Sequence, residues 1–101
     1  MADETRRNVT RLVAVEGFVQ GVGYREFTRR AAERLGVSGW VRNRLDGTVE
    51  ALLHGSAEAV EALFAEMRRG PAHATVTEVR ILSEDAAEAP VAGAFLVRGG
   101  W

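Results

Sequence analysis

The chain has 101 residues and a formal net charge of −1, from 13 basic and 14 acidic side chains; that suits one compact domain and leaves no broad electrostatic footprint for nucleic acid. Cysteine is absent, which removes disulfides, thiol nucleophiles and thiolate metal sites together. No apolar run approaches the ~20 residues that cross a membrane and the N-terminus lacks the apolar stretch of a signal peptide, so a cytoplasmic protein is the default expectation.

Residues 1–8 are polar, charged and aperiodic and read as a flexible lead-in, with one domain over residues 9–101. From 9 to 16, Val13 and Val15 alternate with Leu12, Ala14 and Glu16, as in a strand with one better-buried face. A glycine-rich segment follows, and then Phe27, Ala31 and Leu35 recur at four-residue spacing, the face of a helix that Gly36 ends. Residues 37–43 and 48–54 read as two strands around the tight-turn signal Asp46-Gly47. Ser56 caps the next helix, Glu58 suits its N-terminal dipole, and Val60, Leu63, Phe64 and Met67 form its core-facing stripe. Gly70-Pro71 stops that helix. Residues 75–82 read as a strand, the acidic, alanine-rich stretch 83–90 as a surface loop, and the alternation of Phe95 and Val97 with Ala94, Leu96 and Arg98 as a short last strand. The order is βαββαβ with a short C-terminal strand: an α+β, ferredoxin-like sandwich with a mostly antiparallel sheet. Right-handed crossovers place both helices on one face of it.

The segment that points to chemistry is Gly17-Phe18-Val19-Gln20-Gly21-Val22-Gly23-Tyr24-Arg25. Glycine lacks the Cβ that blocks close approach, so backbone amides can crowd round an anion in such a loop. Arg25 falls at the start of the following helix, where the dipole also favours negative charge. A strand, a glycine-rich turn and a helix opened by arginine make a phosphate site. A Walker loop would need lysine and then Ser or Thr after the last glycine, where Tyr24 and Arg25 stand. A dinucleotide fingerprint would need glycine where Glu26 stands. Every basic residue is arginine; a GC-rich genome accounts for most of them, and Arg68 and Arg69 decorate a solvated helix end, but Arg25 is set apart by its address.

A second segment, Gly39-Trp40-Val41-Arg42-Asn43-Arg44-Leu45-Asp46-Gly47-Thr48-Val49-Glu50, completes the pattern. Together the two resemble the acylphosphatase family, whose signatures read G-x-V-Q-G-V-G-[FY]-R and G-W-V-x-N-x-x-D-G-x-V-E, and Gly36 falls between them as in the family. The resemblance runs from about Val9 to Val97. It implies the same open sandwich and a free-standing acylphosphate phosphohydrolase, acting on a small-molecule acyl phosphate without metal or cofactor, and nothing in the sequence argues against a monomer. It also implies that Arg25 carries the phosphate, that Asn43 orients the attacking water, and that the amides of Val19, Gln20, Gly21, Val22, Gly23 and Tyr24 complete the cradle. The Asn43 strand could run beside the first strand and so face the loop. Tyr24 stands for the commoner phenylalanine, and Leu45 stands where bacterial members often carry proline.

The chemistry agrees with that implication. The leaving group of an acyl phosphate is a carboxylate of pKa about 4 to 5, which departs unprotonated. Its phosphoryl transition state is loose, so charge stabilisation and alignment do most of the work. An asparagine amide has the donor and the acceptor that fix a water in one orientation.

Gln20 either contacts substrate or braces the loop, and Trp40 reads as sheet packing. His54 and His73 have no triad-like or ligand-like partner near them in sequence, and Asp46 and Glu50 mark a hairpin. Two other readings compete with the enzyme. One is a catalytically silent module that binds phosphate or carbamoyl phosphate, as acylphosphatase-like domains of larger proteins do; the other is an RNA-binding domain of the same βαββαβ layout. The last would need exposed aromatic residues on the strands 9–16 and 48–54, which have none.

Overall fold

The computed structural model describes residues 7–86 and 93–99. Along them run β1 (Asn8–Phe18), α1 (Tyr24–Leu35), β2 (Ser38–Asn43), β3 (Val49–Ser56), α2 (Ala57–Arg69), β4 (Thr75–Ser83) and β5 (Phe95–Arg98). The strands form one sheet in the order β4-β1-β3-β2-β5. All neighbours are antiparallel except β2 and β5. This is the expected βαββαβ order with its short C-terminal strand.

Strand alternation sorts the side chains into two faces. Val13 lies opposite Ala51 and Val15 opposite Val49; with Val41 and Leu53 they are fully buried beneath the helices. Helix α2 adds Val60, Leu63 and Met67 to this core, each with no exposed surface. The helices pack against each other, α1 over β2 and β5 and α2 over β4, β1 and β3, so both cover the same face. Ser56 caps α2, its Oγ accepting from the Ala59 N–H at 3.1 Å. A cap of that kind stabilises by about 1 kcal/mol.

Across the other face, Leu12, Leu52, Trp40 and Leu96 lie opposite one another on β1, β3, β2 and β5. Trp40 is packed into the sheet as expected, with the guanidinium groups of Arg42 and Arg98 5.5 and 5.0 Å from its ring centroid.

Several boundaries move. Strand β1 takes in Asn8, Gly17 and Phe18, so the turn before α1 shrinks to residues 19–23, while Thr48 stays in the hairpin and Ser83 joins β4. The buried stripe of α1 is Tyr24, Thr28, Ala31 and Ala32, not Phe27, Ala31 and Leu35. The rotation follows from Tyr24, whose ring enters the core and carries the first turn inward, leaving Phe27 half-buried with its ring 6.0 Å away. Beyond Ser83, Asp85 bridges to Thr10 and the Ala86 N–H donates to the Thr10 carbonyl at 2.9 Å. The rest of the expected 83–90 loop, and most of the expected lead-in, lie outside the described residues. Among the described residues no helix is long and apolar enough to cross a membrane.

Candidate active site

The site lies at the end of the sheet where β1 runs into α1 and β2 turns into β3. Strand β2 does not run beside β1, as the sequence suggested; β3 lies between them. The loop reaches the hairpin all the same, because the Gln20 side chain spans the gap. Its Nε2 donates to the carbonyl oxygens of Arg44 and Thr48, each at 2.8 Å. Those two residues flank the hairpin turn and are themselves joined by a 2.9 Å bond from the Arg44 N–H to the Thr48 carbonyl. Of the two roles open to Gln20, its side chain takes the bracing one.

The loop is held from below and open above. Val19 is buried and Val22 packs against the core. Gly21 and Gly23 take φ values of 76 and 79°, the left-handed region where other residues are strained, and a Cβ on either would meet nothing within 4 Å. Gly23 is the N-cap of α1 and offers no side chain to its first turn. Phe27 is the first residue whose N–H turns back, to the Gly23 carbonyl at 3.0 Å. Among the described residues nothing accepts from the backbone N–H groups of residues 20–24. Unused amides at the positive end of a helix favour an anion.

Tyr24 anchors the helix start. Its hydroxyl donates to the Met67 carbonyl at 2.8 Å in the core, and burial pushes the phenol above its ordinary pKa. The hydroxyl that departs from the commoner phenylalanine thus meets a polar partner.

Arg25 and Asn43 converge on the loop. Together with Val19, Gly21, Gly23, Glu26 and Val97 they line one cavity of about 210 Å³. Arg25 is positioned by β5, its Nη1 donating to the Arg98 carbonyl at 3.1 Å. Asn43 ends β2 opposite Val49, and among the described residues its side-chain amide is without a partner. Among the described residues Glu26 is the one carboxylate on the cavity wall. Arg29 and Arg30 hold it from one turn further along α1, and the Arg29 hydrogen bond, with that of Arg30, lowers its pKa to about 2.

His54 and His73 are not part of this site. His54 is at the opposite end of β3, its Nδ1 2.7 Å from the Thr10 hydroxyl, and His73 is exposed in the turn before β4. Asp46 shapes the hairpin, its Oδ1 accepting from the Thr48 hydroxyl and N–H at 2.6 and 3.0 Å. No described group of three or more His, Asp or Glu could hold a metal ion. The Arg98 carbonyl was invisible to sequence reasoning, because a backbone acceptor carries no residue signature.

Comparison with known proteins identifies the family and the fold. The acylphosphatase family model matches residues 12–95. An acylphosphatase of Koribacter versatilis is 43% identical over 100 residues, covering 99% of this chain and 89% of the relative. One of Rhodospirillum rubrum is 51% identical over 81 residues, covering 80% and 89%. The solved structure of an acylphosphatase from Coxiella burnetii superposes with a TM-score of 0.83 at 34% identity, covering 97% of this chain and 100% of that one. A family match over most of the chain, with the same fold at that identity, makes this chain a member of the acylphosphatase family.

Proposed function

We propose that Arg25 and the backbone amides of residues 19–24 hold the phosphoryl group of the substrate, and that Asn43 holds the water that attacks it. The overall reaction follows from the family: the chain is an acylphosphatase (EC 3.6.1.7), a hydrolase of acyl phosphates. The water oxygen bonds to phosphorus, and the phosphorus–oxygen bond to the acyl group breaks. The carboxylate leaves with the bonding pair, and the water proton passes to a phosphate oxygen of the substrate itself. Arg25 and the amides offset the charge on the phosphoryl oxygens in a loose transition state. Asn43 aligns the water by donating to it or accepting from it.

The observation that carries this reading is the shared cavity. Arg25, Asn43 and the two left-handed glycines line about 210 Å³, several times the roughly 30 Å³ of one water and enough for a phosphoryl group with its nucleophile. One chain supplies every group of the proposed site, which supports a monomer as the working form.

The test is hydrolysis of benzoyl phosphate, with chelator present, by the native chain, Arg25→Ala and Asn43→Ala. Rapid native turnover that falls by 100-fold or more in both folded variants is expected, on the scale of a lost transition-state donor. Full activity in either folded variant would remove that residue from its role. Light scattering on the active fraction checks the monomer.

A further inference from the structure

The backbone acceptor that positions Arg25 belongs to the last residue of a short edge strand. Strand β5 has four residues and pairs only with β2. Phe95 anchors its start in the core, but Leu96, Val97 and Arg98 are exposed. A strand end with so few buried contacts opens easily. The Arg98 carbonyl, which accepts from the Arg25 Nη1 at 3.1 Å, sits at that end.

The Arg98 side chain ties the end down. Strand alternation puts it on the sheet face away from the helices, with Trp40 and Arg42. Its guanidinium lies 5.0 Å from the Trp40 ring centroid, and among the described residues no carboxylate pairs with it. Trp40 is a firm platform, 8% exposed and on a strand paired along both edges; of the aromatic rings, tryptophan attracts a cation most strongly. Arg42 stands directly opposite Arg98 in register, where a like charge would repel it. Glu50 removes that repulsion by neutralising Arg42, whose Nε and Nη2 are 2.7 and 2.5 Å from one carboxylate oxygen. The cavity that holds Arg25 and Asn43 is lined from β5 by Val97 and not by the Arg98 side chain, so that side chain reaches the site only through its own backbone.

We propose that the stacking of Arg98 on Trp40 holds the end of β5, so that the Arg98 carbonyl fixes the Arg25 guanidinium for the phosphoryl group. Arg98 and Trp40 are then positioning residues that act through Arg25, and the proposal rests on the role given to Arg25 above.

The test compares the native chain with Arg98→Met and Arg98→Lys. Methionine keeps an apolar stem and the backbone carbonyl but removes the cation; lysine restores a cation that can sit over the ring. On benzoyl phosphate, kcat/KM should fall about five- to tenfold in Arg98→Met, the scale of one lost cation–ring contact, and stay within about twofold of native in Arg98→Lys. The second readout is the Nε–H NMR signal of Arg25 in the free protein, assigned by its loss in Arg25→Lys. That group should be ordered in the native chain and in Arg98→Lys and mobile in Arg98→Met. A general loss of stability would lower Tm without singling out this signal. Native activity in Arg98→Met, an Arg25 signal equally ordered in all three proteins, or Arg98→Lys as impaired as Arg98→Met overturns the proposal. If the native chain itself did not turn over benzoyl phosphate, the hydrolase reading would fall, and the Arg25 signal would still decide whether Arg98 holds Arg25.

Discussion

The side-chain amide of Gln20 lies 2.8 Å from the Thr48 carbonyl oxygen and donates to it. With its equal bond to the Arg44 carbonyl, that contact ties the glycine-rich loop to the hairpin that carries Asn43, across a strand that separates β1 from β2. Gln20→Ala removes both bonds, a loss of about 1–3 kcal/mol. Its larger effect is on alignment, so kcat/KM for benzoyl phosphate should fall by roughly 10- to 100-fold. Gln20→Glu should be worse, since a carboxylate would face two carbonyl oxygens. Thermal melts alongside the kinetics separate the two effects; normal kcat/KM in Gln20→Ala would mean the loop keeps its shape unaided.

Arg25 and Asn43, which line one cavity, could be singled out in the sequence because each sits in a spaced motif whose neighbours have few other reasons to recur together. Element order was legible for a similar reason: Val13 and Val15 alternate, and Val60, Leu63 and Met67 repeat at helical spacing. Strand neighbours were less so. Pairing is set by crossover geometry and not by any residue in β2, which is why β3 came to lie between β1 and the Asn43 strand. The Arg98 carbonyl and the Gln20 brace depend on tertiary distance alone. Tyr24 shifted the buried face of α1 because a four-residue repeat starting at Phe27 looks as apolar as one starting at Tyr24.

Tyr24→Phe tests the buried hydroxyl. Met67 lies in the last turn of α2, where carbonyls have lost their helical partners, and the Tyr24 hydroxyl satisfies one of them. Its removal should cost about 1–2 kcal/mol and lower Tm by about 4–8 °C per kcal/mol. Activity well below Tm should stay near native. The phenol's raised pKa stabilises the fold fully below about pH 10 and less as pH rises past it. The native chain should therefore lose stability in alkali faster than Tyr24→Phe, as paired melts between neutral and strongly alkaline pH would record.

Arg11 is a cation at an inward position of β1, between Val9 and Val13, with 7% of its side chain exposed. Burial opposes its charge, but Glu61 and Glu84 more than restore it, at 2.9 and 3.0 Å. Its guanidinium also lies 5.2 Å from the Phe64 ring centroid, and its Nη1 is buried without a partner. Both glutamates are more than half exposed, so Glu61→Gln or Glu84→Gln should cost only about 0.5–1 kcal/mol each. Arg11→Ala should cost more, about 2–4 kcal/mol, by stripping the packing under Phe64 as well as the pairs. Arg11→Met keeps the stem and removes the orphaned nitrogen, so it should fall near native stability. Urea midpoints at neutral pH would rank the variants; Arg11→Met as poor as Arg11→Ala would show that charge, not packing, dominates.

Glu26 links stability to the proposed anion site. Hydrogen bonds from Arg29 and then Arg30 lower its pKa from 4.5 to about 2. The unfolded chain therefore takes up its proton first as pH falls, and the stability this carboxylate contributes is complete above about 4.5 and lost between there and about 2. Because the group is exposed, salt should weaken the effect. Glu26→Gln should remove that part of the acid dependence while leaving the neutral and alkaline limbs unchanged. The same substitution deletes the one carboxylate that the described residues place on the wall of the cavity shared by Arg25 and Asn43. Inorganic phosphate should then inhibit about 2- to 5-fold more strongly at low salt, with the difference fading as salt is added. Equal inhibition of the native chain and Glu26→Gln at low salt would mean that Arg29 and Arg30 already cancel the carboxylate's field at the site.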